Sequence, residues 1–319
     1  MDTKEIPVSG PQHLVMPDVK IVGVGGAGNN AILRMQESGI NDVDLIAVHT
    51  NQKIPEYYQG IQFVKIGEKT TGGLGAGAKP EVGRRAAEEN EKDIESVIEG
   101  SDLLFITCGL GGGTGTGAAP VIAKIARQKN ILTVGVVSKP FSFEGKIRME
   151  NALAGIDELK KYVDAFIVID NTKLLSISKN NLSFKEALVS ADRALQEAVN
   201  GILEIVRNAV MINVDMNDIR TILKDGGKAY IGKGHATSIE QGKKAIEDAL
   251  SNPLVDVTLD GAMSVLVFVV GNVLFSDFTE IAEVVAEKVN DDANVIVGGG
   301  PISEMGDEIR VTIVATGIK

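Results

Sequence analysis

The chain is short of the residues that carry several common chemistries. Among 319 residues there is a single cysteine, Cys108. An intramolecular disulfide is excluded, and a reducing cytosol fits. The three histidines, His13, His49 and His235, are too scattered for zinc-ligand spacing, so no protein-built metal centre is expected. Basic residues number 32 against 43 acidic ones, a net charge of −11. Nucleic-acid binding needs concentrated Lys and Arg and is not expected. The longest apolar runs, such as residues 265–270, are strand-length and far short of the ~20 residues that span a bilayer. No apolar signal segment follows Lys4 and Glu5. These absences predict a cytoplasmic protein without direct membrane insertion.

What the chain has is glycine. Its 36 glycines lie in clusters, which marks functional loops rather than low complexity. Residues 109–117 read GLGGGTGTG, six glycines in nine positions. They follow an apolar run at 103–108 that reads as a buried strand. A helical pattern over 118–126 comes next, with Pro120 suited to its first turn. Strand, glycine loop and helix N-terminus form a place where backbone N–H groups and the helix dipole receive a phosphate. The Walker lysine is missing, so this is a phosphate loop of another kind.

A second cluster, GVGGAG at 23–28, lies between a strand at 19–24 and a helix from about 29 to 38. It matches the dinucleotide fingerprint, but the second strand ends in AVHTN, with no acid to hold a ribose. An NAD-dependent oxidoreductase is therefore disfavoured. With a third glycine loop at 71–78, the clusters suit a nucleoside triphosphate better.

Length favours two domains. After an arm over residues 1–17, strands at 45–48, 63–66, 132–137 and 165–169 alternate with helices at 80–99 and from about 146 to 162. Apolar strands alternating with helices predict a parallel sheet covered on both faces, with its loops at the C-terminal strand ends. Ser183 and Glu186 form a capping box opening a helix to about Arg207. Leu188, Leu195, Val199, Ile202 and Val206 make its apolar stripe. At roughly 35 Å this helix is a natural spine between domains. Beyond it, helices at 219–223, 239–251 and 278–290 mix with strands at 229–231, 264–270, 294–297 and 308–315. Residues 298–301, GGGP, read as a turn.

Three polar groups stand out. Glu144 and Arg148 lie one helical turn apart, as ribose and oxygen ligands or as an ordinary ion pair; spacing leaves both open. Asp192 lies near the apolar stripe. Half-buried, it could accept guanine N1–H and the 2-amino group; otherwise it is an exposed edge residue. Residues 213–218, NVDMND, could order water or a metal-bound nucleophile, or could cap the helix at 219.

Taken together these motifs resemble the FtsZ family, the tubulin-like division GTPases of bacteria and archaea. GGGTGTG at 111–117 is the tubulin signature. GGAGNN at 25–30, GLGAG at 73–77, PFSFEGKIR at 140–148 and NVDMNDIRTIL at 213–223 follow in the family's order, and the match covers residues 19–317. The resemblance implies a tubulin/FtsZ-like α/β fold: a Rossmann-like parallel-sheet GTP-binding domain over 18–182, a central helix over 183–211 and an α+β activation domain over 212–319. It implies that Gly25, Gly26, Ala27, Gly28, Asn29 and Asn30, with Gly111, Gly112, Gly113, Thr114, Gly115, Thr116 and Gly117, cradle the phosphates of GTP or GDP. Ala76 and Gly77 would lie near the γ-phosphate, Glu144 and Arg148 at the ribose, and Asn171 and Asp192 at guanine. Mg2+ would be held mainly by phosphates and water. Asn213, Asp215 and Asp218 match the loop that completes the active site of the next subunit. A head-to-tail homopolymer acting in cell division is thereby implied.

The chain departs from the family at His49-Thr50-Asn51, at Leu188 where an aromatic is usual, at Asp170-Asn171-Thr172 and at Asn208-Ala209. It stops at Ile318-Lys319, before the family's linker and tail; either these are trimmed away here, or a divergent form would reach division-site proteins or membrane tethers by another route. The competing expectation is a GTP-binding structural relative that does not hydrolyse.

Overall fold

The computed structural model describes residues 16–51, 60–177, 183–208, 210–237, 242–251 and 258–318. Most of the expected N-terminal arm, Ala209 and the start of the helix expected at 239 lie outside them. The first half runs β1 (Val19–Val24), α1 (Gly25–Glu37), β2 (Asp44–His49), β3 (Gln62–Lys65), α2 (Glu68–Thr71), α3 (Pro80–Glu89), α4 (Glu91–Ile98) and β4 (Leu103–Gly109). It continues with α5 (Thr114–Gln128), β5 (Leu132–Lys139), α6 (Lys146–Leu159), β6 (Ala165–Asp170) and α7 (Asn171–Ile177). The long helix α8 (Phe184–Arg207) follows. Beyond it lie α9 (Met216–Leu223), β7 (Gly227–Lys228), β8 (Tyr230–Ala236), α10 (Gly242–Leu250), β9 (Ser264–Gly271), α11 (Phe275–Ala286), β10 (Asn294–Pro301) and β11 (Ile309–Thr316).

The first sheet has the order β3-β2-β1-β4-β5-β6-β7, and every ladder in it is parallel. Strand order reverses between β1 and β4, which pair from Val19↔Leu103 to Val24↔Cys108. Such a switch point leaves a crevice beyond the strand ends. Alternate side chains fill opposite faces: Ile21, Phe105 and Val134 join α8, while Val22, Ile106 and Cys108 join α5. This two-sided burial explains why the strands read as continuous apolar runs. The second sheet, β10-β9-β11-β8, is mixed, with β10 parallel to β9 and β11 antiparallel to both its neighbours.

Helix α8 joins the two sheets through one continuous core. Leu195, Val199 and Ile202 pack in a cluster with Ile231, Val267 and Val311 of the second sheet. Ser183 Oγ accepts from Glu186 N, and Glu186 Oε2 accepts from Ser183 N at 2.7 Å, the expected capping box. Leu188 is the exception in the stripe. It is 43% exposed and lines a cleft instead of the core. Lower on α8, Glu204 accepts from Lys233 Nζ and from Arg310 Nη1, each at 2.8 Å.

Three local expectations are corrected. The helix expected over 80–99 is two helices that break at Asn90, whose Oδ1 accepts from Gly67 N at 2.8 Å and whose amide donates to Asp93 at 2.7 Å. The turn expected at 298–301 is the end of strand β10, paired with β9 as far as Pro301↔Gly271. Gly299 sits at φ +136 with no room for a side chain, since a Cβ would lie 1.8 Å from Val269 O. Its backbone exchanges two hydrogen bonds with Ile212, which anchors the segment before α9. Finally, α5 begins at Thr114, so Pro120 lies inside the helix and not in its first turn.

Candidate phosphate-binding cleft

Two helix N-termini close the crevice between β1 and β4. Helix α1 starts at Gly25 directly after β1, and α5 starts at Thr114 after the turn at 110–113. Neither start has a side-chain cap, so the first backbone N–H groups of each lack intrahelical acceptors. Gly25 stands at φ +72, and a Cβ on it would lie 3.0 Å from Gly115 N. The two first turns therefore meet backbone to backbone, each with the positive end of its dipole there. The glycine motifs expected as loops are mostly the first turns of these helices.

A cleft of about 440 Å³ opens over them. Gly25, Gly26, Ala27 and Asn30 form one part of its wall, and Gly112, Gly113, Thr114 and Gly115 another. Glu144, Arg148, Asn171 and Asp192 line it as well, together with Leu188. The other expected residues stand behind this wall. Gly28 packs on the Thr107 carbonyl. Asn29 is buried with its Oδ1 unpartnered. Thr116 Oγ1 accepts from Gly111 N at 2.8 Å, which ties the turn shut. Gly117 makes room for the Pro80 carbonyl of α3. Ala76 is buried against Gly113, while Gly77 is exposed.

Glu144 and Arg148 form an ion pair, and Glu144 Oε1 also accepts from Phe141 N at 3.0 Å. The ion-pair reading therefore holds, and the paired residues also line the cleft. Asn171 is buried with Oδ1 unpartnered, a polar group on the cleft wall. Asp192 is buried too, and its Oδ2 accepts from Arg34 Nε at 3.2 Å. Burial pushes its carboxyl above the ordinary value, against the opposing pull of Arg34. Sequence reasoning missed Arg34, because 158 residues separate the partners and no motif contains both. It also missed the contact between Thr50 Oγ1 and Thr114 Oγ1, 2.8 Å apart. Nearby, His49 Nδ1 accepts from Asn51 N at 2.9 Å, and burial lowers the imidazole's pKa.

The acids of 213–218 lie elsewhere. Asp215 caps α9, its Oδ1 accepting from Asn217 N and Asp218 N, and Asp218 Oδ2 accepts from Asp215 N at 3.0 Å. This reciprocal box involves both carboxylates. Asn213 and Asp215 remain exposed, and neither these two nor Asp218 lines the cleft. The last turn of α9, at Arg220 and Lys224, adjoins Ile131 and Leu132 where β5 begins. That is the end of the sheet opposite the glycine segments. Among the described residues no three His, Cys, Asp or Glu side chains gather as a metal site. No helix among them is long and apolar enough to cross a membrane.

Comparison with known proteins agrees with this geometry. The family model for the Tubulin/FtsZ family, GTPase domain, matches residues 18–179. That for the FtsZ family, C-terminal domain, matches residues 227–319. The cell division protein FtsZ of Buchnera aphidicola subsp. Baizongia pistaciae is 43% identical over 303 residues, covering 94% of this chain and 79% of that protein. The solved FtsZ dimer of M. jannaschii, in its empty form, is 39% identical, with a TM-score of 0.85 over 94% of this chain and 88% of its own. A GTPγS-bound protofilament of CetZ2 from Haloferax volcanii has a TM-score of 0.80 over 95% of this chain and 93% of its own; at 22% identity it shows a shared fold alone. By sequence along nearly its whole length and by fold in both sheets, the chain belongs to the Tubulin/FtsZ family.

Proposed function

We propose that this chain binds GTP in the cleft between β1 and β4 and hydrolyses it in head-to-tail filaments that serve cell division. The observation that carries the reading is a separation. The anion-receptive helix starts lie at one end of the parallel sheet, and Asn213, Asp215 and Asp218 lie away from that cleft, on α9 and the segment before it. A neighbour stacked end to end would bring its own α9 segment to the open cleft. Such a contact is heterologous and propagates as an open filament. Leu74, Phe143 and Ile147 on the cleft side, and Met211 and Ile212 on the α9 side, are exposed apolar residues suited to cover one another.

In this reading the first turns of α1 and α5 hold the phosphates, with Ala76 and Gly77 beside the γ-phosphate. Glu144 and Arg148 orient the ribose, and Asn171 and Asp192 read the base. Asp215 and Asp218 from the neighbour order the attacking water. When bound, Mg2+ supplies charge neutralisation on the phosphates, its other positions taken by water. The GTP-binding unit comprises 18–182, the central helix 183–211 and the activation unit 212–319. The protein acts in the cytoplasm at the division site, through tethers of other chains.

The test is sedimentation with GTP, GDP and ATP, run beside phosphate release. Pelleting and turnover that need GTP, with a rate per subunit rising above a threshold protein concentration, support the proposal. Turnover that is independent of protein concentration would overturn the shared active site.

A further inference from the structure

Asp192 is held from behind by one residue. Its Oδ2 accepts from Arg34 Nε at 3.2 Å, its side chain is 10% exposed, and no hydrogen bond from the described residues reaches Oδ1. Arg34 lies on α1, outside the cleft wall. One turn further on, α1 and α8 are tied again, where Gln196 Nε2 donates to Ser38 Oγ at 2.8 Å. The guanidinium thus fixes one carboxylate oxygen and leaves the other for the cleft. The remaining charged groups about the cleft are already matched. Glu144 pairs with Arg148, and Lys139 of β5 with Asp170 of β6 at 2.8 Å.

We propose that Arg34 is a positioning residue for base selection, holding the Asp192 carboxylate anionic and oriented so that its free oxygen accepts guanine N1–H and the 2-amino group. The inference rests on Asp192 facing the base, as in the function proposed above. The charge state decides the outcome. A protonated carboxyl would set a donor against guanine N1–H. The same group suits adenine, whose N1 accepts and whose amino group donates. Burial already raises the Asp192 carboxyl, and Arg34 opposes it. Without Arg34, desolvation acts alone.

The experiment is calorimetric titration of GDP and ADP into the full chain and into Arg34→Gln, Arg34→Lys and Asp192→Asn, over about pH 5.5 to 8.5. The readout is the GDP-over-ADP affinity ratio within each sample, so a partly unfolded fraction cancels. We expect Arg34→Gln to lower the ratio about tenfold near neutral pH, with recovery as pH rises and Asp192 ionises. Arg34→Lys keeps the cation and most of the ratio. Asp192→Asn should lose the ratio at every pH. If Asp192→Asn leaves the ratio intact, the base-reading role fails and the inference with it. If Asp192→Asn loses it while Arg34→Gln keeps a wild-type ratio that is flat with pH, the role of Arg34 alone is overturned.

Discussion

Thr50 Oγ1 and Thr114 Oγ1 lie 2.8 Å apart in a buried contact, joining the residue after β2 to the first residue of α5. The bond ties an uncapped helix start to the end of β2, two strands away from β4 in the sheet. Thr50→Val should leave the Thr114 hydroxyl buried and unpaired, at about 1–2 kcal/mol of stability. The double change with Thr114→Val removes both partners and should cost less than the sum of the singles. Urea denaturation of the four proteins checks this, and strict additivity would dissolve the pairing.

Gly26 and Gly112 line the cleft, and a Cβ on either would meet no protein atom within 4 Å. Their bareness serves the cavity, not the packing. Gly26→Ala and Gly112→Ala should melt at or slightly above the wild-type temperature, since alanine loses less backbone entropy than glycine. GDP affinity should drop by about tenfold or more, because a methyl group displaces the anion from the backbone N–H groups. Gly115→Ala, whose Cβ would lie 2.8 Å from Gly109 O, should instead lose stability. Thermal melts beside GDP titrations separate the two classes.

Asp215 is both a helix cap and a proposed catalytic group. Asp215→Ala removes both roles and should cost about 1 kcal/mol in stability. Asp215→Asn keeps a good cap while losing the charge, so its stability should stay near wild type. Both variants should bind GTP and release little phosphate. Normal turnover in the capped variant would remove Asp215 from catalysis.

Glu204 bridges Lys233 and Arg310 across the seam between α8 and the second sheet. Burial alone would raise its carboxyl, but Lys233 and Arg310 hold it below the ordinary value of 4.5. A lowered carboxylate stabilises the fold above its unfolded pKa, and that stability is lost as pH falls through the folded one. At neutral pH Glu204→Gln should cost roughly 2–3 kcal/mol, since Lys233 loses its anion and Arg310 keeps only Glu308. The gap between wild type and variant should narrow as pH falls below about 4.5. Urea titrations at neutral and acidic pH check the sign, and a constant gap would show that the bridge contributes nothing.

Much of this was legible in the sequence where periodicity or backbone chemistry is local. The parallel strands announce themselves as apolar runs because both faces of the sheet are covered. The Ser183–Glu186 box marks the start of α8 within a few residues. The glycine clusters mark the cleft, since few other roles tolerate so many bare positions. Their conformation was less legible, because GGAG and TGTG give no propensity for helix even though they fold as first turns. Gly299 misled for a related reason, its value being room for the Val269 carbonyl of the paired strand, a residue far away in sequence. The Arg34–Asp192 pair and the Thr50–Thr114 contact had no local trace, for they arise only where separate elements meet.

The missing caps on α1 and α5 have a thermodynamic consequence. An anion seated between them would supply acceptors that no side chain supplies, so ligand and fold become linked by mass action. At a free concentration one hundred times its Kd, such a ligand adds about 2.7 kcal/mol to the native state. That is a sizeable share of the roughly 5–15 kcal/mol that holds a typical protein folded. An emptied subunit is then not merely idle but closer to unfolding, and the nucleotide supply sets how long the protein lasts.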